Sequence, residues 1–470
     1  MTSKNPDAAC PSDIVPGDIV PSDAAQKTQS SLAASAATEK SALNSSSFSL
    51  MEAVVDDANI ERAWKNVKAN KGAPGPDGIT LDAFFETFRH HWPEVRRQLL
   101  EGIYRPGPAR RTSIPKPDGS QRNLGIPNVI DRLIQQAILQ VLTPIFDPSF
   151  SESSFGFRPK RSAQGAVKQI QQTIRSGYRW CVDMDLSKFF FRVHHDVLMA
   201  RVTRKVHDRV LLKLIGRYLR AGVMVDGLLQ PSAEGTMQGG PLSPLLANIL
   251  LDDFDKTLES RGLRFVRYAD DFLIFVRSEI AAQRVFTSVE RYLTWKLKLV
   301  VNGDKSCVCR TAGVEFLGYQ FHGFGGQIRV SPKSVRKFKD RCKDILRRNR
   351  GVSMFRRLGE LRLYLRGWVD YFVLDQRRTF IRTLDKWLRR RVRTCYWSNW
   401  RLPRTRLRKL MALGVPHEEA YPFAHSGKGP WRLSITSGVH RALSNEWLSG
   451  QGLLNLEERW KELAPKRRTA

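Results

Sequence analysis

The chain has 470 residues, 41% of them hydrophobic, with 77 Lys and Arg against 46 Asp and Glu, a formal net charge of +31. That length supports two to four domains with sizeable cores, and the charge points to a polyanionic partner, most often nucleic acid. No apolar run approaches the roughly 20 residues that span a bilayer, and no basic segment followed by an apolar core opens the chain, so neither a membrane partner nor a secretory signal is expected.

Residues 1–50 are rich in Ser, Ala, Thr, Pro and Asp, with Phe48 the only aromatic, which predicts a disordered tail. From Ala53 onward Ile60, Ala63, Trp64 and Val67 recur at helical spacing. "NKGAPGPDGIT" (70–80) interrupts with three glycines and two prolines and predicts a structured loop. "HHWPEVRRQLLEGIY" reads as a separate short helix. "RTSIPKPDGSQRNLGIP" predicts a hairpin turning at "KPDGS". "DRLIQQAILQVLTPIF" is a strongly apolar helix, and "YRWCVDMDLSKFF" is a strand running into a turn. "HDRVLLKLIGRYLRAG" is a helix stopped at Gly222, and "SPLLANILLDDFDKTLESRG" is a long helix. Beyond Ser331 the composition shifts to 34 Lys and Arg against 12 acids. There "SVRKFKDRCKDILRRNR" and "FIRTLDKWLRRRVRTCYW" thread aromatic and apolar residues through basic helices, a pattern suited to phosphate backbone and stacked bases.

The cysteines (Cys10, Cys181, Cys307, Cys309, Cys342 and Cys395) form no C-x-x-C pair. Zinc ligation is therefore not expected, and they read as reduced thiols of a cytoplasmic protein. His194 and His195 have no metal partner at ligand spacing and read as surface or capping residues.

Two acid clusters stand out. In "LRFVRYADDFLIFV" (263–276) two apolar strands flank "YADD", which places Asp270 and Asp271 at a hairpin turn. Taken alone, this is a surface turn or a metal site. "CVDMDLSKFF" (181–190) puts Asp183 and Asp185 on one face at the end of another strand. Two strands ending in carboxylates can supply hard oxygen ligands of the kind Mg²⁺ takes.

"DLSKFF", "QGGPLSP" (238–244) and "YADD", in this order and spacing, resemble motifs A, B and C of reverse transcriptases. The blocks "NKGAPGPDGIT", "IPKPDGSQRNLGIP", "FSESSFGFRPKRSA", "VNGDKS" and "EFLGYQF" are similar to those of bacterial group II intron reverse transcriptase/maturases. "LRGWVDYF" and "RRRVRTCYW" resemble that family's thumb, or maturase, region, and the likeness runs from about residue 51 to 445.

The resemblance implies an α+β right-hand polymerase: fingers and palm over 51–330, a helical thumb or maturase domain over 331–415, and a small DNA-binding segment over 416–470. It implies RNA-directed DNA synthesis with two Mg²⁺ ions, using an RNA template, a DNA primer and target, and deoxynucleoside triphosphates. It also implies binding of group II intron RNA, with assistance to its splicing and copying during retrohoming. A domesticated role in DNA repair or phage defence, and a non-catalytic splicing chaperone, are the alternatives. Asp185, Asp270 and Asp271 are the implied metal-binding acids, with the Leu186 carbonyl completing one ion's shell. Asp183 matches no catalytic position. Lys116, Arg122 and Arg158 are implied to lie at the nucleotide, and Gln238, Gly239 and Gly240 to line the nascent base pair. Lys305 matches the proton donor to departing pyrophosphate, Phe190 the steric gate under the sugar, and "FLGYQF" the primer grip.

Two departures stand out. The family usually reads "KFFDRVNHD" where this chain has "KFFFRVHHD", with Phe191 in place of an acid, and "SAQGAV" replaces "SAHDAV". Many relatives append a Cys-paired H-N-H endonuclease; nothing like it follows Trp431, which matches the compact subclass.

Overall fold

Residues 49–115, 121–225, 228–230 and 239–463 are described by the structure, a computed structural model. The expected tail lies outside the described residues apart from Ser49 and Leu50. Ser49 starts α1 (Leu50–Val55) with a capping box, accepting from the Met51 N–H at 3.1 Å while Glu52 takes the Ser49 N–H. The expected helix follows as α2 (Asp57–Ala69), burying Ile60, Ala63 and Val67. The short helix expected after it is instead the second half of α3 (Leu81–Leu100), which runs through Pro93. Phe84, Phe88 and Trp92 form a ladder with 5.2 Å between successive ring centroids. This i, i+4 packing spans the turn that proline would otherwise break.

The hairpin expected over 111–127 forms from β1 (Ala109–Pro115) and β2 (Gln121–Ile126), antiparallel with Ile114 opposite Arg122. Next comes α4 (Val129–Phe146), the central helix of the first core. Contrary to the reading of its composition, the stretch 129–149 is long and apolar enough to cross a membrane, with a mean hydropathy of 1.2. Its length is used internally: Leu133, Ile134, Ala137, Ile138 and Leu142 are all fully buried in the core.

After α5 (Ala163–Arg175) and β3 (Trp180–Met184) come α6 (His195–Val202) and α7 (Arg209–Arg220). The stop expected at Gly222 is real, with φ +73°. Two short strands, β4 (Val223–Val225) and β5 (Leu228–Gln230), join β1 and β2 in a sheet of order β2-β1-β4-β5. Then come α8 (Ser243–Ser260), β6 (Arg264–Tyr268), β7 (Asp271–Val276), α9 (Glu279–Lys296) and β8 (Cys307–Arg310). Strands β6-β7-β3-β8 form an antiparallel sheet. A third sheet joins β9 (Glu315–Phe316), β10 (Tyr319–His322) and β11 (Gln327–Val330). The mixture of helices and antiparallel strands is the α+β arrangement expected.

The basic region is helical. Its elements are α10 (Pro332–Ile345), α11 (Met354–Tyr371), α12 (Arg378–Asn399) and α13 (Pro403–Ala412). Then follow α14 (His417–Ala424), α15 (Pro430–Leu433), α16 (Ser437–Ala442), α17 (Asn445–Gly450) and α18 (Leu456–Glu462). A second core joins Phe338, Leu361, Leu365, Leu384 and Leu388 to β9–β11 and to Phe155 and Ile170, which precede β3. A third, around Trp397, Leu410, Val415, Leu433 and Val439, bridges the end of α12 to the last segment. The described part of the last segment, residues 416–463, divides its apolar residues between these two cores. Leu456 and Trp460 of α18 return to the second core, and Arg459 grips Asp370 of α11 with two bonds of 2.9 and 3.0 Å.

Candidate active site

The site lies at one end of the β6-β7-β3-β8 sheet. Strand β3 is buried between two partners, with Met184 opposite Phe272 of β7 and Asp183 opposite Cys307 of β8. Asp185 follows directly at the strand end. The β6–β7 hairpin closes through only Ala269 and Asp270, with Tyr268 paired to Asp271. The next position in the β3–β7 register sets Asp185 beside Asp271, so one sheet end carries all three acids. Buried apolar residues hold the strands and polar residues occupy their ends, which is how the sequence produces this site. Asp271 is exposed and Asp185 and Asp270 are half-buried.

Among the described residues, no three His, Cys, Asp or Glu side chains are gathered into a metal-binding cluster. The donor chemistry fits a hard divalent cation: three carboxylates at neighbouring strand ends, open to solvent. Like charges repel at close range, so a cation is what would draw such carboxylates together.

Asp185 is held from one side. Its backbone N–H donates to Ser306 Oγ at 3.1 Å, its carbonyl accepts from the Asn302 N–H at 2.8 Å, and its Oδ2 accepts from Asn302 Nδ2 at 3.0 Å. Lys305 Nζ stands 3.8 Å from the same Oδ2 on an exposed side chain. The Ser187 N–H donates to the Val300 carbonyl at 2.8 Å, and Leu186 pairs with Val301 between these bonds. In an antiparallel ladder this pattern turns the peptide groups of Leu186 away from residues 300–302. Asp183, two residues back and half-buried, has its carboxyl pushed up to about 6 by burial and by the Asp185 charge.

The Asp270 turn is anchored from beneath. Ala269 sits at φ +59°, a left-handed conformation that costs a non-glycine residue roughly 1–2 kcal/mol. The Gly156 backbone lies against it so closely that a Cβ there would meet the Ala269 nitrogen at 2.3 Å. Arg267, fully buried, donates to the Ala269 carbonyl at 3.0 Å and pairs with the equally buried Asp255.

Family models match two parts of the chain: "Reverse transcriptase (RNA-dependent DNA polymerase)" over residues 114–321, and "Group II intron, maturase-specific domain" over residues 335–413. Protein YkfC of Escherichia coli is 32% identical over 312 residues, which span 58% of this chain and 82% of YkfC. The chain belongs to the group II intron reverse transcriptase/maturase family. The group II intron-encoded protein LtrA of Lactococcus lactis is 37% identical over 209 residues, 44% of this chain, and the chain spans about a third (34%) of LtrA. Among solved structures, a partial Cas6-RT-Cas1–Cas2 complex is 27% identical over 54% of this chain and 44% of that one, with a TM-score of 0.35.

Within this reverse transcriptase domain the other expected residues are placed unevenly. Lys116 and Gln238 lie outside the described residues, and Arg122 is on β2. Arg158 is held largely inside the protein. Its Nε donates to Asp147 Oδ1 at 2.7 Å and its Nη2 to the Asp147 carbonyl at 3.0 Å, while its Nη1 serves the Ser151 and Ser154 carbonyls. Four of its five N–H groups are thus used inside the protein, on a side chain only 4% exposed, and one Nη2 hydrogen is left over. Gly239, at φ +128°, faces the Gly125 carbonyl so tightly that a Cβ would meet it at 2.4 Å. Its glycine is therefore required for packing on β2, whatever ligand it also meets.

Of the three phenylalanines, Phe189 is buried and Phe191 is 42% exposed. Phe190 lies between these extremes, edge-on to Phe189 at 5.1 Å. His195 is buried rather than at the surface, and His194 is the N-cap residue of α6 without a side-chain cap bond. Sequence reasoning missed Asn302, Ser306, Arg267 and Asp255. Asn302 and Ser306 stand in the quoted "VNGDKS" block, a signal that was present. Arg267 and Asp255 are linked only by the fold.

Proposed function

We propose that this protein is an Mg²⁺-dependent RNA-directed DNA polymerase that extends a DNA primer on an RNA template. In this reading it also binds group II intron RNA, assists its splicing and copies it during retrohoming into a DNA target. The observation that carries the chemistry is the placement of Asp185 and the Ala269–Asp270–Asp271 turn at adjacent strand ends, in a chain of this family. Asp185, Asp270, Asp271 and the Leu186 carbonyl would hold two divalent ions, whose chemistry when bound would be to neutralise charge on the transferring phosphoryl group and lower the pKa of the primer hydroxyl. Asn302 and Ser306 fix the direction of Asp185, and Lys305 would hand a proton to the departing pyrophosphate. Phe190 excludes a 2′-hydroxyl from the sugar position. Arg122 and Lys116 attract the triphosphate. The basic helices of residues 331–415 track the duplex and the intron RNA, and residues 416–470 bind DNA. Five free thiols among the described residues suit the reducing cytoplasm.

Primer extension on an RNA template, with Mg²⁺ and the four deoxynucleoside triphosphates, is the test. Chain-length products that require both template and metal are expected. A purified protein that binds the template and adds no nucleotide would leave only the splicing role.

A further inference from the structure

Arg267 and Asp255 are the most deeply buried ion pair among the described residues, both with no exposed side-chain area. Such a pair is costly to desolvate and is weak evidence for stability by itself. Here it is also the hub of a wider network. Asp255 and Asn248 lie seven residues apart on one face of α8. Arg267 Nε donates to Asp255 Oδ1 at 2.8 Å, its Nη1 to Asn248 Oδ1 at 2.9 Å, and its Nη2 to Ser154 Oγ at 2.8 Å. The remaining Nη1 bond reaches the Ala269 carbonyl at 3.0 Å. Asn248 in turn donates to the Gly156 carbonyl at 2.9 Å, and residues 153–155 bond to the backbone of Arg267. The guanidinium thus ties α8, the 153–156 segment and the β6–β7 turn at one point.

We infer that Arg267, braced by Asp255, Asn248 and Ser154, is a positioning residue that sets the Ala269–Asp270 turn for metal binding. Left-handed backbone at a non-glycine residue persists only where its surroundings over-determine it. Ala269 has two such constraints, the Arg267 bond to its carbonyl and the Gly156 backbone against its nitrogen. Asp270 is the very next residue, so a turn that relaxes moves that carboxylate directly. The inference rests on the reading of Asp270 as a metal ligand and adds residues that never touch the ion or the substrate.

The test separates positioning from plain stability. The double variant Arg267→Met/Asp255→Leu removes both charges together, and replacing a buried pair with apolar residues of similar size often preserves the fold. Thermal melting and RNA binding should stay close to the parent. Mn²⁺ binding to the free protein, read by electron paramagnetic resonance, should weaken by about tenfold, as happens when groups orienting metal ligands are lost. The Mg²⁺ midpoint of primer extension should rise in parallel. A double variant that melts like the parent, binds Mn²⁺ as tightly and keeps the same Mg²⁺ midpoint overturns the inference. Should the double variant fail to fold, Ser154→Ala decides: it removes one bond to the guanidinium and keeps both charges. An increase of about threefold in the Mn²⁺ dissociation constant supports positioning, and no change overturns it. Asp270→Asn runs alongside. If it retains full Mn²⁺ binding and extension, the reading of the site has failed, independently of Arg267.

Discussion

The palm and the thumb of this protein handle charge in opposite ways. At the palm, a few charged groups each have one place. Asp185 is gripped by Asn302 and Ser306, and the Asp270 turn is anchored through Arg267 to Asp255. Beyond Ser331 the net charge is +22, spread over helices whose arginines number far more than their acids. Positions such as Arg362 and Arg366 on α11 are simply exposed. Chemistry at a reacting phosphate needs charge at a fixed point, whereas attraction to a phosphate backbone needs only enough charge along a surface. Single substitutions should therefore be close to all-or-none in the palm and graded in the thumb.

The sharpest break of that contrast is Asp270→Asn. Amidation removes one charge at the point where the palm gathers it. Extension on an RNA template should fall by at least about 1,000-fold, roughly 4 kcal/mol of transition-state stabilisation. Filter binding to the same template should be unchanged, because the basic helices are intact. Residual extension within a few-fold of the parent sinks the palm half of the comparison.

Asp131 sharpens it from another direction, as a fixed charge with no part in the chemistry. It is 1% exposed at the start of α4, and its Oδ1 accepts from the Tyr104 and Tyr218 hydroxyls at 2.9 and 3.1 Å. Burial pushes its carboxyl up to about 6, against the lowering effect of those bonds. Because the folded value lies above the unfolded one near 4, the folded state binds the proton more tightly. Its stabilising contribution is therefore full below about pH 4 and lost as pH rises through about 6, a swing on the order of 2–3 kcal/mol. Denaturant melts at pH 4, 5, 6 and 7 should show Asp131→Asn removing that part of the pH dependence. An unchanged slope between parent and variant would mean that Asp131 ionises freely in the fold.

Phe190 asks whether the palm's fixed geometry extends from charge to shape. Its ring stands five residues after Asp185, between buried Phe189 and exposed Phe191. Phe190→Val should raise ribonucleotide over deoxyribonucleotide incorporation by about tenfold, roughly 1.4 kcal/mol of discrimination. The same substitution at Phe191 should leave the ratio alone. Single-nucleotide extension with each sugar checks both, and selectivity that follows Phe191 instead would shift the register by one residue.

How much of this was legible in the sequence differs by region for physical reasons. The β1–β2 and β6–β7 hairpins and the buried α4 were readable because alternation and apolar runs are local signals. The acids at the strand ends were readable for the same reason. The internal bonds of Arg158 were not legible because a sequence displays a guanidinium without showing what takes up its donors, here Asp147 and the carbonyls of Ser151 and Ser154. Of α3 only the second half was read as helix, and the first half joins it through Phe84, Phe88 and Trp92, packed one turn apart. Arg267 and Asp255 look like ordinary members of a basic strand and an acidic helix. Only the crossing of α8 behind the sheet makes them partners.

The thumb yields the smallest effect, and its smallness is what distinguishes it. Arg362 and Arg366 are four residues apart on α11, so both project from one exposed face. If that face follows a phosphate backbone, each arginine displaces counterions on binding and contributes about 0.7 to the log–log salt slope for single strands. Arg362→Gln/Arg366→Gln should therefore reduce the slope by about 1.4, which between about 50 and 200 mM salt is roughly a sevenfold difference in affinity loss. The intercept should change little for an unrelated RNA of the same length, since the contacts carry no sequence information. Polymerisation at saturating template should persist, because no group at the β3 or β6–β7 strand ends has been touched. Equilibrium binding across a salt series, measured beside extension at saturation, makes the decision. A steep loss of extension with an unchanged salt slope would show that these two arginines act at fixed points, as the palm residues do, and the contrast between the two regions would fail there.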